Sequence, residues 1–449
     1  MATGFNSGAQ TISGYIKDSL NNEVLIGATI KLDDGATGVA TDANGFYSIY
    51  VSPGNHTLLI TYLGYASKTI TVNVTGNITL NHQLAQTSVQ AKEALVIGDR
   101  TNRNVTSTEM STIEITGAQI KSLPVIFGEP DLLKAITLLP GIKSGGEGGG
   151  GFYVRGGGPD QNLVLMDDAV IYNPSHLLGF LSVFNTDAVR NMEIIKGGMP
   201  ANYGGRLSSI LNVNLLEGSD QKYKVNGGVG LIASRLMVEG PIKKGKSGFM
   251  IAGRRTYIDA LAAPFLSSDL KGNGYYFYDI NVKFHYNIGI KDRLVFSGYF
   301  GRDIFSFKSP NNQEVRFGAG WGNSFANLKW NHTFNKRFYV NTMVIYNRYD
   351  LSSEFDFSGN GFTISSGLRD WTLKHEYYYT PSTKHTIKFG GQYIYHTFVP
   401  GIATGQIDTI RIDEKISEQY AHEAALYVMD EFKIGSRLTI NAGLRGVLF

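Results

Sequence analysis

Residues 278–288 alternate between large apolar and polar side chains. The even positions carry Tyr, Ile, Val, Phe, Tyr and Ile, and the odd positions carry Asp, Asn, Lys, His and Asn. Successive side chains of a β-strand point to opposite faces, so the segment predicts a strand with one apolar and one polar face. At about 3.3 Å per residue and a tilt of about 45°, this segment rises about 26 Å, close to the roughly 25 Å apolar band of a membrane barrel. A strand of a soluble sandwich would show the same alternation.

The alternation recurs along the second half of the chain. Residues 326–335, 386–395 and 437–445 show it clearly, and about eleven or twelve such segments follow residue 221. Some are separated by short turns and others by longer polar or Gly-rich stretches, such as residues 309–314. Short turns at one end and long loops at the other are typical of an outer-membrane barrel. The 25 Tyr and 25 Phe fit rings at a lipid–water interface.

The first part of the chain has a different organisation. Residues 11–84 hold about seven short alternating runs divided by Asp, Asn, Gly and Pro turns, which predicts a small β-sandwich. Residues 85–110 are polar apart from an apolar island at 94–97. This stretch is either a linker with one strand-forming patch or the first strand of the next domain.

A mixed α/β unit is predicted for residues 111–218, ahead of the barrel strands of 219–449. Residues 117–121 and 130–139 have helical spacing, and the second run ends at a Pro-Gly pair. The predicted strands of this unit are residues 152–155, 162–166, 192–196 and 209–215.

Composition and motifs exclude several functions. Gly146, Gly148 and Gly151 have the spacing of a dinucleotide-binding loop, but a strand follows them instead of a helix. The chain has no Cys, no Gly-x-Ser-x-Gly and no His-Glu-x-x-His. We therefore predict no enzyme, no cofactor and no metal site. The net charge of +3, with both signs interspersed, predicts no nucleic-acid partner.

Two stretches resemble a known family. The motifs are Tyr-Val-Arg-Gly-Gly-Gly at residues 153–158, Gln-Asn-Leu-Val-Leu-Met-Asp-Asp at 161–168 and the run 192–206 ending in Tyr-Gly-Gly-Arg. Together they resemble the plug domain of TonB-dependent outer-membrane receptors. Residues 11–84 are similar to the carboxypeptidase-regulatory-like sandwich that often precedes this plug.

The resemblance implies a mainly β fold with three parts: a small N-terminal β-sandwich, an α/β plug domain and part of a transmembrane antiparallel β-barrel. Barrels of the family have 22 strands, so we expect the chain to be C-terminally incomplete and to lack its signal peptide. The apolar face of residues 278–288 should contact lipid, and the polar face should line a lumen that the plug fills. We expect the barrel in the lipid and lipopolysaccharide outer membrane, with the sandwich and linker in the periplasm.

The family resemblance also implies partners. TonB, energised by the ExbB–ExbD complex, would capture a periplasmic segment by adding it as a strand to its own sheet. The candidate segment is the linker island, which consists of Ala94, Leu95, Val96, Ile97 and Gly98. Residues 196–200 replace the acidic segment typical of the SusC branch, which lowers the expectation of a surface lipoprotein partner without excluding one.

Two plug arginines and several loop residues are further candidates. Arg155 and Arg206 could hold the plug by pairing with lumen carboxylates such as Glu376 or Glu423, or could bond only to solvent and backbone. The candidate ligand-facing plug residues are Gly148, Gly149, Gly150, Tyr172, Asn173 and His176.

The resemblance implies a receptor that binds an extracellular nutrient and imports it into the periplasm as the plug rearranges. Iron chelates, cobalamin, oligosaccharides and peptides are not distinguished by the sequence. One alternative is a non-transporting plugged barrel that acts as a subunit of an outer-membrane assembly or secretion complex. A soluble β-rich adhesin is the other.

Overall fold

The computed structural model of the chain is mainly β and has the three parts expected from the sequence: a sandwich, a plug and one large antiparallel sheet. It describes residues 10–20, 22–25, 27–32, 37–41, 45–62, 65–85, 111–121, 125–126, 129–145, 151–265, 272–309, 315–335, 337–357, 360–382, 384–407, 410–413, 416–434 and 438–449. No helix among these residues is long and apolar enough to cross a membrane.

The sandwich consists of two sheets that pack face to face. In one sheet β1 pairs with β4, β7 and β8, and the other has the order β3-β2-β5-β6. Alternate residues of both sheets, among them Ile12, Ile30 and Ile60, form a separate buried core. The strands are β1 (Gln10–Asp18), β2 (Thr29–Leu32), β3 (Thr37–Ala40), β4 (Phe46–Val51), β5 (Gly54–Thr61), β6 (Lys68–Val74), β7 (Ile78–Thr79) and β8 (His82–Leu84).

The plug is built on a five-stranded mixed sheet of order β15-β14-β19-β18-β9, in which β14 and β19 run parallel. Two short helices accompany it, α1 (Gly117–Lys121) and α2 (Leu132–Thr137). The strands are β9 (Thr112–Thr116), β10 (Val125–Ile126), β11 (Glu129–Pro130), β12 (Ile142–Ser144), β13 (Phe152–Val154), β14 (Asn162–Met166), β15 (Ala169–Val170), β16 (Ser175–His176), β17 (Leu181–Ser182), β18 (Val189–Ile195) and β19 (Ser209–Leu215).

Helix α2 is shorter than the predicted run of residues 130–139. Asp131 ends it on the N-terminal side, because its Oδ1 accepts a 2.9 Å hydrogen bond from the amide of Lys134. Glu129 and Pro130 form the short strand β11 instead of the first helical turn.

The large sheet, which we call the wall, has twelve strands in the described residues. Neighbours in the sequence pair in antiparallel fashion, except that β28 pairs with both β29 and β30. The short helix α3 (Ile258–Ala262) follows β22. The strands are β20 (Lys224–Val229), β21 (Ala233–Lys243), β22 (Ser247–Thr256), β23 (Gly274–Asn287), β24 (Asp292–Lys308), β25 (Val315–Asn335), β26 (Phe338–Phe357), β27 (Asn360–Ser382), β28 (His385–Ile407), β29 (Ile410–Asp413), β30 (Gln419–Ile434) and β31 (Leu438–Leu448).

The two faces of the wall have opposite character, as the alternation predicts. On β23, Asp279 and Asn281 are fully buried, whereas Ile280 and Tyr286 are 46% and 41% exposed. The polar face is covered by the plug and the apolar face is left open. Strands of about 20 residues, such as β26, would rise about 45 Å at the same tilt, so they extend well beyond an apolar band of roughly 25 Å.

The two ends of the wall also differ. Turns of only two to four residues join β23 to β24, β25 to β26 and β27 to β28 at one end. The sandwich contacts this short-turn end. Tyr50 donates a 3.2 Å hydrogen bond to the carbonyl of Thr380 and lies under the guanidinium of Arg337, and Lys433 Nζ donates to the carbonyl of Gly38 at 3.0 Å.

Candidate functional site: the plug–wall interface

A hairpin of two aspartates holds the plug against the wall. Asp167 and Asp168 connect β14 to β15, and both have left-handed backbones, with φ of 49° and 69°, which a tight two-residue turn requires. Lys283 Nζ lies 2.9 Å from Asp167 Oδ2, and Lys329 Nζ lies 2.5 Å from Asp168 Oδ2. Burial alone would raise the pKa of Asp168, but Lys329 and then Lys374 outweigh it and hold the pKa at about 2.

His176 forms a second contact, nearer the other end of the wall. Its Nδ1 lies 2.6 Å from Asp303 Oδ2, and its ring stacks on Phe277 with centroids 4.1 Å apart. The next amide, of Leu177, donates to Asp303 Oδ1 at 3.0 Å and to the hydroxyl of Tyr275. Burial alone would lower the pKa of His176, but the Asp303 carboxylate outweighs it and raises that pKa. A protonated imidazole paired with Asp303 is the form that this environment favours.

Arg254, on β22 of the wall, binds three groups of the interface. Its Nη2 donates to Asp279 Oδ2 at 2.7 Å and to the carbonyl of Ser182 at 2.8 Å, and its Nη1 lies 3.1 Å from Glu129 Oε2. Asp279 is a wall residue, whereas Glu129 and Ser182 belong to the plug. A buried guanidinium with several partners is stable only while those partners stay in place.

Asn323, on β25, binds the backbone of the loop after β15. Its Oδ1 accepts hydrogen bonds from the amides of Tyr172 and Asn173 at 3.1 and 3.2 Å. Its Nδ2 donates to the carbonyl of Asn173 at 2.7 Å. This one wall side chain therefore binds both N–H and C=O groups of the loop backbone.

Between these contacts the plug and the wall enclose a polar cavity of about 330 Å³. Carboxylates and lysines of both sides line it, including Glu193, Asp168, Lys374 and Glu376. Such a lining suits ordered water, which lets polar groups part from each other at low cost.

A buried acidic contact joins the sandwich to the plug. Glu23 Oε1 accepts a 3.2 Å hydrogen bond from the amide of Glu217 and lies 3.7 Å from Arg190 Nη1. Burial, reinforced by the nearby Glu217, raises the pKa of Glu23 to about 7 although Arg190 opposes the change. Glu217 is the opposite case: Arg293 and Lys283 outweigh burial and hold its pKa at about 2.

The sequence-predicted residues are placed as follows. Arg155 Nη2 donates to Ser111 Oγ at 2.7 Å, and Arg206 Nη1 donates to the carbonyl of Gly205 at 2.8 Å. Among the described residues, neither pairs with Glu376 or Glu423. Those two carboxylates bond instead to wall side chains, namely Tyr378 and Tyr427 for Glu376 and His396 for Glu423.

Three of the predicted ligand-facing residues lie on this interface. Tyr172 and Asn173 are half-buried on Asn323, and His176 is 1% exposed. Two wall carboxylates, Asp279 and Asp303, hold the His176 ring in the interface, and its role toward a ligand stays a prediction. Gly148, Gly149, Gly150 and the island Ala94, Leu95, Val96, Ile97 and Gly98 lie outside the described residues.

Sequence reasoning missed the residues that bear the main contacts. Asp167 and Asp168 were quoted only as part of a motif, and Arg254, Asp303 and Asn323 were not singled out. The one available signal was their position, since each wall residue is polar and lies on the inward-facing side of an alternating strand.

Two family models match the chain. Residues 12–96 match the CarboxypepD_reg-like domain, and residues 104–209 match the TonB-dependent Receptor Plug Domain. The TonB-dependent receptors P3 and P26 of Formosa agariphila are 26% and 27% identical over 218 and 205 residues. These matches cover 47% and 44% of this chain but only 21% and 20% of the relatives.

Solved structures share the fold. A mutant of the ferric enterobactin receptor from Pseudomonas aeruginosa is similar with a TM-score of 0.55 and 15% identity, over 78% of this chain and 58% of the other. The outer membrane transporter YddB from Escherichia coli has a TM-score of 0.57 and 10% identity, over 75% and 56%. The chain spans less than three fifths of either structure.

The chain thus combines a sandwich, a plug and an antiparallel wall, and it shares this fold with the solved structures. More specifically, the chain carries the carboxypeptidase-regulatory-like domain and the plug domain of a TonB-dependent receptor, followed by an antiparallel wall. The family resemblance drawn from the sequence motifs is confirmed.

We predict that Lys329→Met loosens the plug. The change leaves the Asp168 carboxylate without its 2.5 Å partner, which should cost about 2 kcal/mol of plug binding. Hydrogen exchange of β14 and β15 in the full-length protein should speed up accordingly. Lys244→Met, at an exposed turn, is the control and should change nothing. Equal exchange rates in the two variants would contradict the assignment.

We also predict that the sandwich binds the plug more weakly as pH rises. The pKa of Glu23 is about 7 in the docked state and 4.5 in its ordinary state, so docking takes up a proton between these values. Docking should be strongest below pH 4.5 and lose up to about 3 kcal/mol as pH passes 7.

Spin labels on the sandwich and the wall would measure this separation between pH 5 and 8. Glu23→Gln mimics the protonated acid, so its separation should stay constant over that range. A wild-type separation that decreases with rising pH would show that the sign is wrong.

Proposed function

We propose that the chain is part of an outer-membrane receptor that binds an extracellular nutrient and imports it into the periplasm by rearranging its plug. The observation that carries this proposal is the nature of the plug–wall interface. It combines side-chain hydrogen bonds and ion pairs around a polar cavity, such as Lys329 to Asp168, with apolar contacts from wall residues such as Phe325 and Met343, and has no shared strand pairing among the described residues. Such contacts can break while the wall stays intact.

The proposed orientation follows from the two ends of the wall. Barrels of the outer membrane have short turns on the periplasmic side and longer loops outside. The sandwich contacts the short-turn end through Tyr50, which supports a periplasmic position for the sandwich and linker. Tyr172 and Asn173 then lie on the extracellular half of the plug, where with Gly148, Gly149 and Gly150 they would approach a ligand.

Coupling to TonB is proposed at the linker island. Ala94, Leu95, Val96, Ile97 and Gly98 precede β9, which is an edge strand of the plug sheet and pairs only with β18 among the described strands. A pull that TonB applies to residues 94–98, with energy from the ExbB–ExbD complex, would reach β9 first. An antiparallel edge strand pulled from its end separates one hydrogen-bonded pair at a time. Transport requires no catalytic residue, so the proposal is of a receptor and not an enzyme.

Replacing residues 94–98 with Gly-Ser-Gly-Ser-Gly in the full-length protein tests the coupling. We expect the purified periplasmic domain of TonB to bind the variant at least about tenfold more weakly, since the apolar side chains and the β-propensity needed for strand addition are lost. Isothermal titration calorimetry measures the affinity. The same replacement at residues 102–106 is the matched control and should bind normally.

Unchanged TonB binding would exclude residues 94–98 as the coupling segment. The alternative, a non-transporting plugged barrel within an assembly or secretion complex, predicts another outcome. In that case a strain lacking the gene would grow normally on every iron, vitamin and glycan source and would lose other outer-membrane components. A surface lipoprotein partner would co-purify with the full-length receptor.

A further inference from the structure

The polarity of the wall inverts along its long strands. On β26, the inward positions up to residue 347 are mainly polar or covered by the plug, and the outward positions are mainly apolar. Beyond residue 347, the outward side chains include Arg348, Asp350, Glu354 and Asp356, and the inward side chains include Leu351 and Phe355. Arg348 Nε lies 2.6 Å from Asp350 Oδ2, which places this outward pair in an aqueous region. The strand therefore leaves the lipid near residue 348 and continues with its apolar face inward.

Inward direction at this level follows from contacts with the plug. Asp303 on β24, Asn323 on β25 and Tyr349 on β26 all contact plug residues. Side chains an even number of residues further along the same strand share their face. By this rule six phenylalanines point inward above the plug, and we call them the inner aromatic face: Phe305, Phe307, Phe317, Phe355, Phe357 and Phe362.

The rings of the inner aromatic face form a continuous row across four strands. The ring centroids are 5.8 Å apart for Phe305 and Phe317, 4.9 Å for Phe317 and Phe355, and 5.0 Å for Phe355 and Phe362. Phe307, Phe355 and Phe357 are 42%, 38% and 61% exposed. An exposed row of rings on one face of a sheet is costly in water, so it indicates a surface that binds an apolar group.

The row continues down to the plug. Trp321, also inward on β25, lies 6.3 Å from Tyr275 between ring centroids. The hydroxyl oxygen of Tyr275 accepts a hydrogen bond from the backbone amide of Leu177, which follows His176 on the plug. A ligand on the inner aromatic face would thus be adjacent to the plug contact that has to change during import.

The charges at this level restrict the ligand. Among residues 304–308, 315–319, 351–357 and 360–365, the inward positions carry no ionisable side chain, whereas the outward positions carry Lys308, Arg316, Glu354 and Asp356. A polyanion would lack a cation to pair with. A sugar would find few donors and acceptors for its hydroxyls, because the inward polar side chains of these ranges are only Ser353 and Asn360 and phenylalanine offers neither.

We propose that the inner aromatic face binds an uncharged ligand through a flat aromatic ring, which stacks on Phe317 and Phe355. Rings offset by 4.5–7 Å are the arrangement that aromatic groups prefer, and the row already has this spacing. This proposal rests on the proposed function only in naming the bound molecule as the imported nutrient. The binding itself needs neither TonB nor import.

Saturation-transfer NMR with phenyl β-D-glucoside tests the proposal on the full-length receptor in amphipol. The probe carries a neutral aromatic ring and a sugar ring in one molecule. We expect saturation mainly on the phenyl protons of the probe. Phe317→Ala and Phe355→Ala should each lower the affinity for the probe about fivefold to tenfold, because each removes one ring. Phenyl phosphate, which carries the same ring with a charge, should bind more weakly than the glucoside.

Tyr346→Ala with Trp371→Ala is the matched control, because this pair also has ring centroids 4.9 Å apart but lies on the outward, lipid-facing side. The control should bind the probe as the wild type does. This result would distinguish binding at the inner aromatic face from partition of the probe into amphipol. Saturation mainly on the sugar protons, stronger binding of phenyl phosphate, or equal losses in the control would overturn the proposal. So would absence of the phenyl signal in the wild type, the result expected if another segment or a lipoprotein covers this face.

Failure of the proposed function gives a different result. In that case the probe would bind as expected, while a strain lacking the gene would grow normally on every iron, vitamin and glycan source. Binding of the probe with normal TonB dependence supports both.

Discussion

The structure depends on one constraint: where the plug covers it, the inward face of the wall is polar and buried, so its charged groups need more partners than the wall itself supplies. The plug supplies them. Asp167 and Asp168 meet Lys283 and Lys329, and Glu129 meets Arg254. Buried charges are tolerated only in such pairs. The polar alternation of the strands, the position of the plug and the apolar exterior are therefore consequences of the same requirement.

The same constraint connects the parts of the chain mechanically. Strand β14 ends at the Asp167–Asp168 hairpin and runs parallel to β19, which pairs with β18, which pairs with the edge strand β9. A displacement of β9 therefore acts on the hairpin through the plug's own sheet. The sandwich adds a second connection to the plug through Glu23. Each connection includes a small number of charged contacts beside the apolar core that plug and wall share, and those contacts can open one after another.

The sequence predicts the large features because they depend on local periodicity. Alternation assigned Ile280 outward and Asp279 inward, and the turns at one end of the wall are uniformly short, whereas the connections at the other end vary in length. It did not predict the partners. His176 and Asp303 are 127 residues apart, and Lys329 and Asp168 are 161 apart, so no local spacing encodes these pairs. Arg155 belongs to a recognisable motif, yet its contact with Ser111 depends on how β9 and the loop after β13 pack.

Disulfide formation in the full-length receptor in outer membranes measures the central claim, that the plug rests on this wall through these contacts. These 449 residues contain no cysteine, so an introduced pair meets no competing thiol among them. Asn173→Cys with Asn323→Cys joins positions where the Asn173 amide and Asn323 Oδ1 are 3.2 Å apart, and a bond should form under mild oxidation. Asn173→Cys with Asn341→Cys pairs the same loop with a distant inward position and should stay reduced. Efficient bonding of the second pair, or failure of the first, would contradict the account.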